Sequence, residues 1–406
     1  MEIISGGVTA PKGYKAAGIY AGIKKKKKDM ALVYSVVPAK AAGTFTTNLV
    51  KAAPVVWDMN IIQEYGMAQA VVLNSGVANA CTGALGAENN EKMAAFVAEE
   101  LGIEKEAVLT ASTGVIGKQL PIEVIGEGCK LLKQELGEDK EHADLAAEAI
   151  MTTDTFAKQY AVSFEIDGTP VTIGGMSKGS GMIHPNMATM LGVITTDLAI
   201  SKELLLEAIQ EDVKDSFNMI SVDRDTSTND SLLILANAMA GNEEITEKNE
   251  AYDLFAEALH KVTTELAKMM ASDGEGATKL FECTVEGAVS KEQAVILSKS
   301  IITSNLVKTA IYGNDANWGR ILCAMGYAGT SFDPDKVDLY IESCAGSLKL
   351  VENGMATDYS EEKATEILMQ KEVKAIADIK SGTYEATAWG CDLTDKYVYI
   401  NADYRS

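Results

Sequence analysis

The segment KGSGMIHPNMATML, residues 178–191, contains a small residue, Ala188, directly before Thr189 and leads into a strand-like run. Cleavage of the bond before Thr189 would give that threonine a free α-amine beside its hydroxyl. A hydroxyl with an adjacent amine is a self-contained nucleophile and base. The cut would divide the 406-residue chain into two subunits, residues 1–188 and 189–406. By spacing alone, an ordinary threonine in a turn is the favoured interpretation.

Charge and composition exclude several classes of protein. The net charge of −22 argues against a nucleic-acid partner. Residues 1–188 carry 17 basic and 21 acidic side chains, whereas residues 189–406 carry 19 and 37. No apolar run reaches the roughly 18 residues of a transmembrane helix, so we expect no membrane partner. Six scattered cysteines without C-x-x-C predict no zinc site and no disulfide framework, and therefore reduced thiols in the cytoplasm.

Strands and helices alternate along the chain, which predicts an α/β (α+β) fold. Strand-like runs lie at Ala31–Val37, Pro54–Trp57, Ala70–Asn74, Tyr160–Glu165, Val171–Ile173, Leu191–Thr196, Leu232–Ala236, Val337–Glu342, Val373–Asp378 and Tyr397–Asn401. Amphipathic helix patterns lie at Glu88–Leu101, Ile122–Leu136, Ala143–Ile150, Lys202–Phe217, Ala251–Met270, Lys291–Val307 and Glu361–Met369. Helix caps are expected at Ser201, Ser290, Ser360, Gly102 and Gly137. The run Lys24–Lys28 is interpreted as a solvated turn between two strands.

Polar, glycine-rich segments recur where strands are expected to end, and loops at strand ends are where binding and catalytic sites are built. They include 73–83, 111–117, 152–155, 222–230, 272–279 and 312–320. So many segments of this kind in one chain predict a composite site. Only three histidines are present, which is few for an enzyme that uses histidine as its base.

Three other motifs compete with Thr189. Gly175–Gly179 fits G-x-S-x-G around Ser177, but this nucleophile elbow needs a helix directly after the serine, and glycines and a proline follow instead. The run from Asp223 resembles the start of a calcium loop, yet it lacks the glycine and the glutamate that such a loop requires. Gly179-x-Gly181 lacks the G-K-[ST] of a phosphate loop. We therefore expect no metal site and no cofactor.

The segment around Thr189 resembles the self-cleavage segment of the ornithine acetyltransferase family, also called glutamate N-acetyltransferase. Other segments resemble that family in the same order along nearly the whole chain. They are FTTN (Phe45–Asn48), NSGVANACTG (74–83), STGVIG (112–117), TTDT (152–155), DTSTND (225–230), DGEGATK (273–279), DANWGR (315–320) and NADYRS (Asn401–Ser406). Departures are Val77, where a polar residue is expected, Arg224, where glycine is usual, and His184, which occupies a variable position.

The resemblance implies residue roles, which are expectations here. It implies cleavage between Ala188 and Thr189, attack by Thr189 on the acetyl carbonyl, and an oxyanion hole formed by Thr113 and Gly114. The implied substrate contacts are Thr153 or Thr155, Lys178, Thr189, Glu275, Asn401 and Ser406. Lys178 can pair with the α-carboxylate of the substrate, and Glu275 with the amino group at the far end of ornithine.

The resemblance also implies the reaction and the architecture. Acetyl would pass from N2-acetylornithine to glutamate through an acetyl-threonine, as a step of arginine biosynthesis. Acetyl-CoA as a second donor is left open by the residues. The implied fold is a layered sheet–helix sandwich with a smaller C-terminal α/β domain at about 286–406, and the subunits would assemble as α2β2. Two alternatives stay open: an N-terminal-nucleophile amidase or aminopeptidase, and a binding protein that is never cleaved.

Overall fold

The computed structural model describes residues 1–184 and 190–403, and it divides into two compact units. The first unit comprises 1–179, the described part of 185–218, and 225–267. The second comprises 180–184, 219–224 and the described residues from 268 onwards. The predicted subunit boundary between Ala188 and Thr189 lies outside the described residues, and the boundaries of the predicted subunits stay predictions.

The first unit alternates strands and helices. It contains β1 (Glu2–Ile4), β2 (Tyr14–Ile19), β3 (Met30–Phe45), α1 (Ala53–Glu64), β4 (Met67–Val77), α2 (Gly83–Leu101), β5 (Val108–Val115), α3 (Ile122–Gln134), α4 (Lys140–Ala149), β6 (Lys158–Ile166), β7 (Thr169–Lys178), β8 (Leu191–Thr196), α5 (Lys202–Asp212), β9 (Ser231–Ala236) and most of α6 (Glu250–Ser272). The strands form a mixed sheet in the order β1-β6-β7-β8-β9-β3-β4-β5, and β2 pairs with β3.

Both faces of this sheet are buried, because successive side chains of a strand point to opposite faces. Leu32 and Val72 belong to a hydrophobic cluster that includes residues of α2 and α3. Their neighbours Val33 and Val71 belong to a second cluster that includes residues of α4. Burying one such side chain stabilises the fold by about 1.5–3 kcal/mol. The result is the layered arrangement of sheet and helices that the family resemblance implied.

The second unit has its own sheet. It contains the last turn of α6, β10 (Leu280–Ala288), α7 (Lys291–Thr303), α8 (Asn305–Tyr312), α9 (Trp318–Gly326), β11 (Asp338–Ser343), β12 (Gly346–Glu352), β13 (Met355–Ala356), α10 (Glu361–Leu368), β14 (Glu372–Asp378), β15 (Tyr384–Cys391) and α11 (Asp395–Ala402). The strand order is β13-β12-β11-β14-β10-β15. The α/β class predicted from the sequence is confirmed.

Three predicted elements are wrong. Residues 54–57 begin helix α1 and not a strand, because Pro54 suits the first turn of a helix despite the β-branched residues that follow it. Residues 397–401 lie in α11, whose N-cap Thr394 accepts the N–H of Lys396. The single helix expected over 291–307 is broken at Ser304, whose side chain accepts the N–H of Val307 and caps α8.

The predicted caps are largely confirmed. Ser201, Ser290 and Ser360 each accept a backbone N–H at a helix start. Gly102 ends α2 in the left-handed conformation that glycine tolerates best. Gly137 does not cap α3; its backbone bonds to Ala16 of β2 instead.

Across the described ranges, no single helix is long and apolar enough to cross a membrane. The pair α7 and α8 meets that criterion only when the two helices, bent by 58°, are taken together.

Candidate active site

The first unit brings two of the polar segments, 111–117 and 152–155, together around the ammonium group of Lys178. This residue ends β7 and is buried, and its Nζ donates hydrogen bonds to Thr152 Oγ1 at 2.9 Å and Thr113 Oγ1 at 3.3 Å. A hydroxyl that accepts from an ammonium keeps its own hydrogen for another acceptor. Thr113 can therefore donate to a developing oxyanion, while Lys178 places positive charge beside it.

Gly114 follows Thr113 near the carboxyl end of β5, and its position does not admit a side chain. Its φ is +131°, which disfavours any residue with a Cβ. A Cβ at Gly114 would lie 2.3 Å from the carbonyl carbon of Gly76, its register partner on the parallel strand β4. Only glycine therefore fits this position, next to the Thr113 hydroxyl.

Asp154, to which the sequence assigned no role, holds the loop before β6. Its Oδ1 accepts hydrogen bonds from Lys158 Nζ and from the N–H of Gly179, both at 2.7 Å, and its Oδ2 accepts the N–H of Thr152 at 2.9 Å. Burial favours the neutral carboxyl, but the Lys178 and Lys158 ammonium groups and the hydrogen bonds outweigh it and hold the pKa of Asp154 well below its usual range. The charged Asp154 thus fixes Thr152 and the exit of β7 beside each other.

Asp154→Asn is expected to lower the free energy of unfolding by about 3–5 kcal/mol, because it removes the buried carboxylate that pairs with the buried Lys158 ammonium. Denaturant unfolding measures this loss. Glu127→Gln is the matched control, since it breaks an exposed ion pair with Lys130 and should cost less than about 1 kcal/mol. Equal losses in the two variants would contradict the role given to Asp154.

The two threonines predicted as substrate contacts lie on the loop that Asp154 holds. Thr153 is half-buried and Thr155 is exposed. The hydroxyl that accepts from Lys178 belongs to their neighbour Thr152, which sequence reasoning did not single out. The segment TTDT was recognised, but its pattern does not show which threonine faces the lysine. A substrate contact by Thr153 or Thr155 stays a prediction.

The alternative nucleophile Ser177 is excluded by its surroundings. It lies inside β7 with 1% of its surface exposed, one residue before Lys178. Residues 179–184 form no helix, so the strand–serine–helix geometry of a nucleophile elbow is absent from this described stretch.

Asn229, in the segment before β9, ties the loops of the first unit together. Its buried Nδ2 donates to the carbonyl oxygens of Ala78 at 2.6 Å and of Ser112 at 2.8 Å. Ser112 directly precedes Thr113, so this amide fixes the backbone that leads into the proposed oxyanion hole. The neighbouring Asp230 is buried, and burial raises the pKa of its carboxyl well above the usual range.

In the second unit, Glu275 and Asn401 are in direct contact. Asn401 Nδ2 donates to Glu275 Oε2 at 2.7 Å, and the N–H of Glu275 donates to the carbonyl of Ser180 at 3.0 Å. A Cβ on Gly181 would lie 2.3 Å from the Glu275 carboxylate, so a side chain there would displace that carboxylate from its present position. The pair places one oriented carboxylate on this unit, as binding of an ammonium group needs. Ser406 lies outside the described residues.

Asp223, in the segment that resembles the start of a calcium loop, binds the backbone of its own unit. Its two oxygens accept the N–H groups of Met182 at 2.6 Å and Ile183 at 2.8 Å. Arg224 next to it has φ of +70°, the left-handed conformation that glycine favours. That conformation accounts for the glycine expected at this position from the family resemblance.

His184 ends the first described range and is held uncharged. Its Nδ1 lies 3.0 Å from Ser221 Oγ. Burial lowers the pKa of His184 to about 4, and the positive charges of Lys299 and Arg224 contribute to this shift. The imidazole is therefore neutral at pH 7.

The lowered pKa of His184 predicts that the folded protein loses stability in acid. The unfolded chain protonates His184 below its ordinary pKa of about 6.5, whereas the folded chain does so only near 4, so stability falls as the pH falls through this window. After allowance for partial exposure the loss is about 1–2 kcal/mol. His184→Gln should flatten the decline of the unfolding midpoint between pH 7 and pH 4.5. An unchanged decline would show that another group causes it.

Ala188 and Thr189 lie outside the described residues, so the contacts of the predicted nucleophile are left as predictions. In the part of the chain that the structure describes, no three His, Cys, Asp or Glu side chains are grouped as metal ligands.

Comparison with known proteins gives full-length matches. A model of the ArgJ family matches residues 15–406. The sequence is 51% identical over 406 residues to the arginine biosynthesis bifunctional protein ArgJ of Caldanaerobacter subterraneus subsp. tengcongensis, with 100% of both chains covered. It is 53% identical over 409 residues to the protein of the same name from Symbiobacterium thermophilum, again over 100% of both.

Solved structures also match. One is ornithine acetyltransferase of Mycobacterium tuberculosis, crystallised with ornithine, at 41% identity and a TM-score of 0.42. The match covers 45% of this chain and 95% of that chain.

Proposed function

The chain belongs to the ArgJ family, and we propose that it transfers acetyl groups with Thr189 as an N-terminal nucleophile. It is an acyltransferase of arginine biosynthesis that moves acetyl from N2-acetylornithine to glutamate. Cleavage of the Ala188–Thr189 bond would release the α-amine that serves as base. An unperturbed α-amine has a pKa of about 8, so it can accept a proton near neutral pH without histidine.

The first half-reaction forms a covalent intermediate. Thr189 Oγ attacks the acetyl carbonyl as its proton passes to the α-amine, and the carbonyl oxygen becomes an oxyanion. The amide C–N bond then breaks, the leaving nitrogen takes the proton, and ornithine departs from an acetyl-threonine ester. In the second half-reaction the amino group of glutamate attacks this ester, N-acetylglutamate leaves, and Thr189 regains its proton. Alternating substrates through one intermediate give ping-pong kinetics.

The observation that carries this proposal is the Lys178 ammonium bonded to Thr113 Oγ1, beside the bare backbone of Gly114. Thr113 Oγ1–H and the Gly114 N–H are proposed to stabilise the oxyanion. One such donor contributes about 3–4 kcal/mol to transition-state stabilisation. The arrangement needs no cofactor and no metal.

The charged side chains of the site suggest which groups of the substrate they bind. We propose that Lys178 binds the α-carboxylate of the substrate and that Glu275 binds the side-chain ammonium of ornithine. Thr153 or Thr155, Asn401 and Ser406 are proposed as further contacts. Opposite charges at two ends of the substrate would select for both its length and its polarity.

Mass measurement tests the proposal. The purified protein should contain two fragments that sum to the 43.2 kDa chain plus one water, with threonine at the new N-terminus. Acetylornithine alone should add one acetyl group to the fragment that begins at Thr189, and glutamate should remove it. A hydrolase would instead release acetate without glutamate. A single uncut chain with no acetyl adduct would overturn the proposal.

The proposal also covers how the two fragments assemble, where in the cell they act, and whether a second compound donates acetyl. The two fragments are proposed to stay associated as α2β2 in the cytoplasm, which native mass determination and fractionation would test.

Acetyl-CoA is proposed as a second donor for glutamate. Formation of N-acetylglutamate from acetyl-CoA in the absence of acetylornithine would establish it.

A further inference from the structure

Lys24 differs from the exposed lysines that follow it. Lys25, Lys26 and Lys27 are exposed in the turn between β2 and β3, as expected of a solvated turn. Lys24 is half-buried, and its Nζ donates to the carbonyl oxygen of Met151 at 2.9 Å. The interpretation of the whole run as solvated is therefore wrong for its first residue.

The turn that carries Lys24 is fixed rigidly by Asp29. The buried Asp29 carboxylate accepts the N–H groups of Ala21 at 2.6 Å, Gly22 at 3.1 Å and Lys24 at 2.8 Å. Its carbonyl oxygen accepts the N–H of Ser75 on β4 at 2.9 Å. The position of Lys24 relative to β4 is thus set by the backbone and not by a mobile surface loop.

Lys24 borders the proposed oxyanion hole. A Cβ built on Gly76 would lie 3.0 Å from Lys24 Cγ, so the lysine stem packs over that glycine. Gly76 is the register partner of Gly114. The bare backbone at Gly76 therefore has the lysine stem on one side and Gly114 on the other.

Lys24 also lies close to Lys178. Their ammonium groups bond to consecutive residues, Met151 and Thr152, each at 2.9 Å. This places the two nitrogens within roughly 10 Å of each other. A dicarboxylic amino acid with one hydrogen bond at each end spans a comparable distance.

The charge of Lys24 has no carboxylate partner within ion-pair distance among the described residues. Burial, together with the charges of Lys27 and Lys178, lowers the pKa of Lys24 to about 8 against the opposing effects of Asp29 and Asp154. A half-buried cation with a second cation nearby is stabilised when an anion binds between them. Glutamate has two carboxylates, and the residues assigned to substrate so far include only one cation, Lys178.

We propose that Lys24 determines acceptor specificity, its ammonium binding the side-chain carboxylate of a dicarboxylic acceptor while Lys178 binds the α-carboxylate. The inference rests on the proposed function, since it assigns a residue to the glutamate half-reaction. Acetylornithine has one carboxylate, so its half-reaction should depend less on Lys24.

The test compares glutamate with glutamine, its neutral isostere, as acceptors from acetylornithine. Lys24→Met keeps the stem and removes the charge. It should lower kcat/KM for glutamate about 10- to 100-fold, the worth of one hydrogen bond to a charged group, mainly through KM. Glutamine transfer and the burst of ornithine released without glutamate should change less than about threefold. Lys24→Arg should restore most of the preference for glutamate, and Lys25→Met is the exposed matched control.

The possible outcomes distinguish the role of Lys24 from the proposed function of the protein. Loss of preference for glutamate over glutamine in Lys24→Met, with rescue in Lys24→Arg, supports the assignment. Equal losses with glutamate and glutamine would mean that Lys24 only supports the fold, and no loss would mean that it does not contact the acceptor; either overturns it. A wild-type protein that transfers no acetyl to glutamate would instead refute the proposed function.

Discussion

Thr189→Ala is expected to leave the chain uncut and to abolish acetyl transfer. The substitution removes the hydroxyl that attacks both the Ala188–Thr189 bond and the acetyl carbonyl. Loss of a covalent nucleophile lowers turnover by about 10⁴-fold or more in comparable acyl-transfer enzymes. Intact mass should show a single 43.2 kDa species with no acetyl adduct after incubation with acetylornithine.

Thr189→Ser is the control that separates the chemistry from the fold. Serine keeps a β-hydroxyl and, once released, an adjacent α-amine, so cleavage and acetyl transfer should persist at reduced rates. A Thr189→Ala protein that still converts acetylornithine at a rate near wild type would eliminate Thr189 as the nucleophile. Persistent transfer by an uncut chain would also show that the α-amine is not the base.

Sequence patterns predicted helices and strands correctly where a single residue preference, such as a serine N-cap, dominated the segment. Ser201, Ser290 and Ser360 cap helices as expected because a serine before an apolar-periodic run has few alternatives. The prediction of a strand at 54–57 failed because the β-branched pattern was weighed above the proline at the helix start. Residues 397–401 were misassigned for a similar reason, since tyrosine, valine and isoleucine favour strands but here follow an N-cap.

The site was predictable as a set of segments but not as a set of contacts. Sequence reasoning named Thr113 and Lys178, yet it could not place Thr152 between them, because Lys178 and Thr152 are brought together by folding. It overlooked Asp154 because the importance of that carboxylate depends on a buried lysine four residues later. Val77, noted as a departure from the family, is buried in the cluster that includes α2 and α3, where an apolar side chain is stabilising.

For Lys24, the sequence predicted a solvated side chain, but the structure shows a half-buried one. Five consecutive lysines indicate a solvated turn, and three of them are exposed in that way. A run of identical residues carries no signal that singles out its first member. The distinction arises from Asp29, whose hydrogen bonds orient the turn so that only Lys24 faces Met151.

Thr113→Val is expected to lower kcat by about 10²- to 10³-fold with little change in KM for acetylornithine. Valine matches threonine in shape and favours strands, so β5 should fold normally while the hydroxyl donor is lost. The donor acts on the oxyanion, which exists only in the transition state and the tetrahedral intermediate, so ground-state binding is spared. Single-turnover acetylation of Thr189 measures this step directly, and Lys178 retains its bond to Thr152 in the variant.

Two further variants decide whether the hydroxyl itself is responsible. Thr113→Ser keeps a donor at the same position and should recover most of the lost rate, whereas a purely steric role would not distinguish serine from valine in this way. Ser177→Ala removes a nearby buried hydroxyl that has no hydrogen-bond partner among the described residues, so its rate should match wild type. A normal rate in Thr113→Val would leave Gly114 as the sole proposed oxyanion donor, and the Lys178–Thr113 contact would then have a structural role only.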